Sequence, residues 1–173
     1  DQCREHSSIL TDIVNRSTYE ELLVYHSKMY QYNNEFDNHV TGLLGRHSDW
    51  RAPVLLYRIY DPMLLQKFIS FYPIYVLDLF RQHSDGIRDC FNQAQMRKVR
   101  FYDQDHLDQL PKNTMKLIVS YNHFTHCDHD KILRDLTMLK TFLAPGGTIS
   151  FNFCDSETSI GAKAFESNMR SFV

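Results

Sequence analysis

Glycine is scarce in this chain: six in 173 residues, and none between Gly45 and Gly86. No Walker-type phosphate loop is present, and no G-x-S-x-G elbow presents a serine nucleophile. Long apolar runs are missing too. The longest, around Phe68–Phe80, is broken by Ser70, Pro73 and Asp78, well short of the roughly 20 residues a membrane-spanning helix needs. Four dispersed cysteines, Cys3, Cys90, Cys127 and Cys154, form no C-x-x-C pair, so buried thiols in a reducing compartment are expected rather than a disulfide framework. Neither sign of charge dominates: 19 Lys+Arg face 21 Asp+Glu, which leaves no composition-level signal for nucleic-acid binding. The start, Asp1-Gln2-Cys3-Arg4-Glu5, is polar and shows no secretory signal, but it lacks an initiating Met. A leader or a larger preceding region is therefore expected to have been cut away.

What is present is an ordinary globular balance, 43% hydrophobic and 23% charged, at a length that suits one core. The first fifty residues read as a helical cap or docking layer. Ile9, Leu10, Ile13 and Val14 keep helical spacing, and Ser17 with Glu20 forms a capping box that explains Ser17 better than a chance Asn15-Arg16-Ser17 glycosylation acceptor. Leu22, Tyr25 and Met29 share a face, and Phe36, Val40 and Leu44 continue it. Asn33-Asn34 is a candidate break, and Gly42 or Gly45 a candidate end.

From Pro53 apolar runs alternate with helix-length segments. Val54–Tyr60, Ile74–Phe80, Val99–Tyr102, Met115–Tyr121 and Thr148–Phe153 are predicted strands. Between them, helices present Leu64, Leu65, Phe68 and Ile69, then Ile87, Cys90, Phe91 and Ala94, then Ile132, Leu136, Leu139 and Leu143. Pro145-Gly146-Gly147 closes the last of these. Residues 156–173 read as a further helix, with Ile160, Ala164 and Phe165 facing inward. This alternation predicts an α/β, Rossmann-like, doubly wound and mostly parallel sheet of about five strands over residues 51–173.

In such sheets ligands gather beyond the carboxyl ends of the strands, where the strand order reverses. Asp78, Asp103-Gln104-Asp105-His106 and Asn122-His123-Phe124-Thr125-His126 all fall at such ends. With the segments "PVLLYRIYDPMLLQKFISFYP", "IYVLDLF", "VRFYDQDHLDQLP", "MKLIVSYNHFTH" and "LKTFLAPGGTISF", the order of pieces resembles the class I S-adenosylmethionine-dependent methyltransferases over about residues 53–155. The L-x-P-G-G turn is the most specific match. The resemblance implies S-adenosylmethionine as cofactor, Asp78 as the ribose-binding acid and Leu79 against the adenine. Asp105 would lie near the adenine amino group with His106 beside it, and Asn122 at the mouth of the transfer site.

One departure bears directly on the cofactor. Where the family has its glycine-rich turn, this chain reads Leu56-Tyr57-Arg58-Ile59-Tyr60-Asp61-Pro62. Arg58 and Tyr60 are expected either to fill the old cradle or to make a new anion site with the next helix. The preferred expectation is a degenerate methyltransferase-like module acting in a larger protein or assembly, a virion included. Its partner would be another domain or chain, with no membrane, and the tyrosines Tyr19, Tyr25, Tyr30 and Tyr32 offer an interaction face. The alternative is an active methyltransferase with an atypical cofactor turn. A cytoplasmic or assembly-bound location follows from either. The family's further helix and two strands are not seen before Val173, so the fold is expected to be truncated after the fifth strand and a helix. His123, His126, Cys127 and His129 have zinc-like spacing, but an ordinary polar loop is preferred and no metal is expected.

Overall fold

The computed structural model describes residues 34–47, 49–59, 62–77, 87–88, 91–121 and 123–153. Asp78, Leu79, Tyr60 and Asn122 lie outside the described residues. So do the helices expected before residue 34 and after residue 155.

Among the described residues the elements run α1 (Asn34–Arg46), β1 (Val54–Tyr57), α2 (Pro62–Lys67), β2 (Ile74–Leu77), α3 (Gln93–Met96) and β3 (Val99–Tyr102). A 3-10 turn (Gln104–Gln109) then leads to β4 (Met115–Ser120), a second 3-10 turn (Phe124–His126), α4 (His129–Lys140) and β5 (Leu143–Phe151). The strands form one sheet in the order β3-β2-β1-β4-β5. Every pairing is parallel, with Tyr57 level with Leu77 and Leu77 level with Tyr102. This is the α/β doubly wound sheet that the alternating pattern predicts. None of the described helices is long and apolar enough to cross a membrane.

Strand side chains alternate between faces, and here both faces are covered, so β1, β2 and the Leu117–Val119 stretch of β4 are apolar at every position. Val54, Leu56, Ile74, Val76, Leu117 and Val119 pack with Val40 and Leu43 of α1, Leu64 and Leu65 of α2, and Phe68. Leu55, Tyr57, Tyr75, Leu77 and Ile118 face the other way, onto Leu139 of α4 with Leu110, Phe124 and Phe142. Of the faces assigned from spacing, Leu64, Leu65, Phe68 and Leu139 are buried, and Ile69, Ile132 and Leu136 are partly buried against the same cores.

Several boundaries differ from expectation, each for a local reason. β1 stops at Tyr57 rather than Tyr60, because Arg58 takes a left-handed backbone with φ 51° that leaves the strand. α1 begins at Asn34 and passes through Gly42 and Gly45 to end at Arg46, so neither glycine terminates it. The segment after Ile87 is not one helix through Ala94. Asn92 starts a new one, its side chain accepting from the Gln95 amide while the Gln95 side chain accepts from the Asn92 amide, and Ala94 is exposed. β4 ends at Ser120.

The Pro-Gly-Gly turn also sits differently. α4 ends at Lys140, and Leu143 already belongs to β5, which runs from there to Phe151 rather than from Thr148 to Phe153. Pro145-Gly146-Gly147 therefore lies inside the strand span, where the β4–β5 register shifts between Met115 and Leu117. Gly146 has φ 73°. A Cβ on Gly147 would meet Leu143 Cδ1 and the Met115 carbonyl, each at 2.8 Å. Both glycines are demanded, one by backbone conformation and one by close approach.

Candidate functional site

Because all five strands are parallel, the residues that follow β1, β2, β3 and β4 emerge on one edge. The order reverses between β1 and β4, which are direct neighbours, so the switch point of the sheet lies between Arg58 and the Tyr121–His123 segment. Arg58 continues the β1–β2 ladder by donating its amide to the Leu77 carbonyl at 2.9 Å. Its side chain turns inward and is 4% exposed, and Ile59 after it is 2% exposed.

Beside Arg58 lies a polar network that joins three elements. Tyr57, the last residue of β1, donates its hydroxyl to Asp135 Oδ2 at 3.0 Å. His123, just past β4, places Nε2 2.9 Å from the same oxygen. Lys131, one helical turn before Asp135 on α4, brings Nζ to 3.2 Å. α4 is held in position by Asp128, whose carboxylate caps its start by accepting from the Lys131 amide at 2.7 Å. The His123 ring packs edge-on against Tyr57, with centroids 5.2 Å apart, and lies against Phe124. Cys127 closes the group, its thiol donating to the His123 carbonyl at 3.1 Å.

The electrostatics follow from burial. The His123 side chain is 1% exposed, and desolvation drives its pKa down to about 4. The bond to Asp135 pulls the other way and loses, while the Arg58 charge adds to the lowering. Desolvation would raise Asp135, but the hydrogen bond from His123 and the Lys131 charge outweigh it and hold it down to about 2. Burial pushes the Cys127 thiol up to about 12, so it stays protonated at neutral pH. Neutral imidazole against ionised carboxylate is the ground state of the network.

The remaining expected site residues are spread along the same edge. Asp105 and His106 fall in the 3-10 turn after β3, and both are exposed. His106 Nδ1 is paired with Asp103, which is held below the usual carboxylate range chiefly by that hydrogen bond. Of the expected cofactor-binding residues that are described, Arg58 is the one whose charge acts on the network, at His123. Asp135, Lys131 and Tyr57 were not expected at a site. Asp135 was detectable in principle, because Ile132, Leu136 and Leu139 mark the inward face of α4 and position 135 lies three after the first and one before the second. Among the described residues no three His, Cys, Asp or Glu side chains converge as metal ligands.

No family model matches the sequence, and no curated protein matches it either. Solved structures do match by fold. The DhpI–SAM–HEP complex aligns with a TM-score of 0.57 at 14% identity, over 87% of this chain and 66% of that one. The glycopeptide N-methyltransferase MtfA complexed with S-adenosyl-L-methionine aligns with a TM-score of 0.55 at 14% identity, over 65% of this chain and 52% of that one. A SAM-dependent methyltransferase of Leishmania major gives 0.52 at 16%, over 76% and 61%. The chain thus spans between about half and two thirds of the length of these proteins. At such identities the likeness shows the fold, which is methyltransferase-like.

Proposed function

We propose that this chain, whose fold is that of the class I methyltransferases, is a methyltransferase-like module without methyl transfer, serving as a structural or docking part of a larger protein or assembly. The observation that carries this reading is the turn after β1, where Arg58 is left-handed and 4% exposed and Ile59 is 2% exposed. A turn that receives S-adenosylmethionine has to bring bare backbone close to the cofactor's charged end, the service glycines perform. Here a residue other than glycine holds a conformation that costs on the order of 1 kcal/mol or more. Its guanidinium also adds a cation where the cofactor carries a sulfonium and an ammonium. These residues do not fit the cofactor's methionine portion, and no catalytic step is assigned to them.

A second reading, an active methyltransferase with an atypical cofactor turn, draws support from the likeness to structures bound to SAM or SAH. In it Asp78, Leu79 and Asp105 would hold adenosine and Asn122 would face the transfer site. One titration separates the two. Thermal shift and calorimetry of the full chain with S-adenosylmethionine are expected to show no stabilisation at millimolar ligand, whereas a micromolar binder would add several kcal/mol. A saturable response that is lost in Asp78→Ala would overturn the proposal.

A further inference from the structure

The opposite edge of the sheet carries a cleft of about 270 Å³. It lies where β1 and β4 begin, between the turn after α1 and the segment entering β2. Phe71 and Leu117 give it an apolar floor, both buried. Arg46, His47 and Lys116 line it together with Asp49. Among the described residues neither Arg46 nor Lys116 has a carboxylate within ion-pair distance. Among the described residues Lys116 Nζ reaches only the Pro145 carbonyl, at 3.4 Å, which leaves further donors for a ligand. Asp49 is engaged in its own turn, accepting from the Arg51 amide through Oδ1 and from the Ala52 amide through its carbonyl.

Two exposed aromatic residues adjoin the floor residue Phe71, one by ring contact and one along the chain. Trp50 is 45% exposed and meets the Phe71 ring edge-on at 5.0 Å. Tyr72 is 54% exposed, and its amide donates to the Trp50 carbonyl at 2.9 Å, which ties the two segments together. Large rings left in water beside an apolar floor are the anchoring element of a binding site, and converging charges select what binds. The formal charges of Arg46 and Lys116 against Asp49 leave one net positive charge, which a single anionic head neutralises. The volume is slightly under the roughly 300 Å³ at which drug-sized pockets begin, so the occupant is compact.

We propose that this cleft binds a small aromatic monocarboxylate, its ring on the Phe71–Leu117 floor and its carboxylate between Arg46 and Lys116. The site is separate from the switch-point edge and does not depend on whether S-adenosylmethionine binds there. Trp50 is the chain's single tryptophan, so its emission reports on this place alone. The test uses the full chain with benzoate, its neutral isostere benzamide, and acetate, followed by Trp50 emission and by saturation-transfer NMR on the ligand. Benzoate is expected to bind saturably and at least tenfold more tightly than benzamide or acetate, and more weakly as salt rises. Lys116→Met and Arg46→Met, both exposed positions, are each expected to leave the melting temperature unchanged and to weaken benzoate about tenfold or more. Equal binding of benzamide would reduce the cleft to an apolar crevice and overturn the proposal. So would silence in both measurements at millimolar benzoate, or unchanged benzoate affinity in both variants.

Discussion

Replacing Asp135 by Ala is the sharpest probe of the network at the switch point. The carboxylate accepts from Tyr57, His123 and Lys131. Its removal takes that acceptor from the Tyr57 hydroxyl and from an imidazole that is 1% exposed. A buried donor deprived of its partner costs about 1–3 kcal/mol, so these two together give about 2–6 kcal/mol. The Lys131 contact lies nearer water and adds under about 1 kcal/mol. Urea denaturation at pH 7 is the assay, with Tyr57→Phe measured alone and in the Asp135→Ala background. Tyr57→Phe alone is expected to cost about 1 kcal/mol. In the double variant most of that loss should vanish, because the acceptor is already gone. A loss under about 1 kcal/mol for Asp135→Ala, or Tyr57→Phe effects that simply add, would refute the account of α4 being pinned to β1 through this carboxylate.

The network also sets an acid sensitivity. His123 sits near 4 when folded and near 6.5 when unfolded, so between those values the unfolded chain binds more protons and stability falls as pH falls. The integrated loss approaches about 3 kcal/mol by pH 4. Asp135 adds a further decline in the same direction between its ordinary 3.8 and about 2. Denaturation midpoints that stay flat from pH 7 to 4, after subtraction of a His123→Gln control, would contradict the burial argument. Gly147→Ala is expected to cost more than Gly146→Ala. The former drives a methyl into the Met115 carbonyl at 2.8 Å, whereas the latter meets open space and bears only the strain of φ 73°, about 1 kcal/mol; paired thermal melts check the order.

The sheet was legible because its signal is dense. Val54–Tyr57, Ile74–Leu77 and Leu117–Val119 are apolar at every position, and only a strand covered on both faces sustains that pattern. Boundaries were less legible where a single backbone dihedral decides them. Nothing in Tyr57-Arg58-Ile59 announces a left-handed arginine, so β1 was drawn three residues too long. Pro145-Gly146-Gly147 resembles a helix stop, but the helix had already ended at Lys140 and the glycines serve the strand pairing instead. At the site, Arg58 stood out because it replaces an expected glycine. Asp135 did not, because a carboxylate on an amphipathic helix reads as solvated until the facing strand is known to bring a tyrosine and a histidine to it.

That difference bears on what the switch point can do. In an open parallel sheet, crossovers leaving in opposite directions part at the reversal and open a crevice between the neighbouring strands. Here Tyr57 from β1 and His123 from beyond β4 both bond to one oxygen on α4, so part-buried polar bonds bridge the two neighbouring strands there. A ligand that entered between these strands and displaced either partner would have to break a contact worth about 1–3 kcal/mol, a loss of about five- to 150-fold in affinity before any gain is counted. The cleft at the far edge has an apolar floor and, among the described residues, two cations without carboxylate partners and no such network. The two edges of this sheet are therefore expected to respond in opposite ways to small molecules, the switch point by exclusion and the far edge by uptake of an anion.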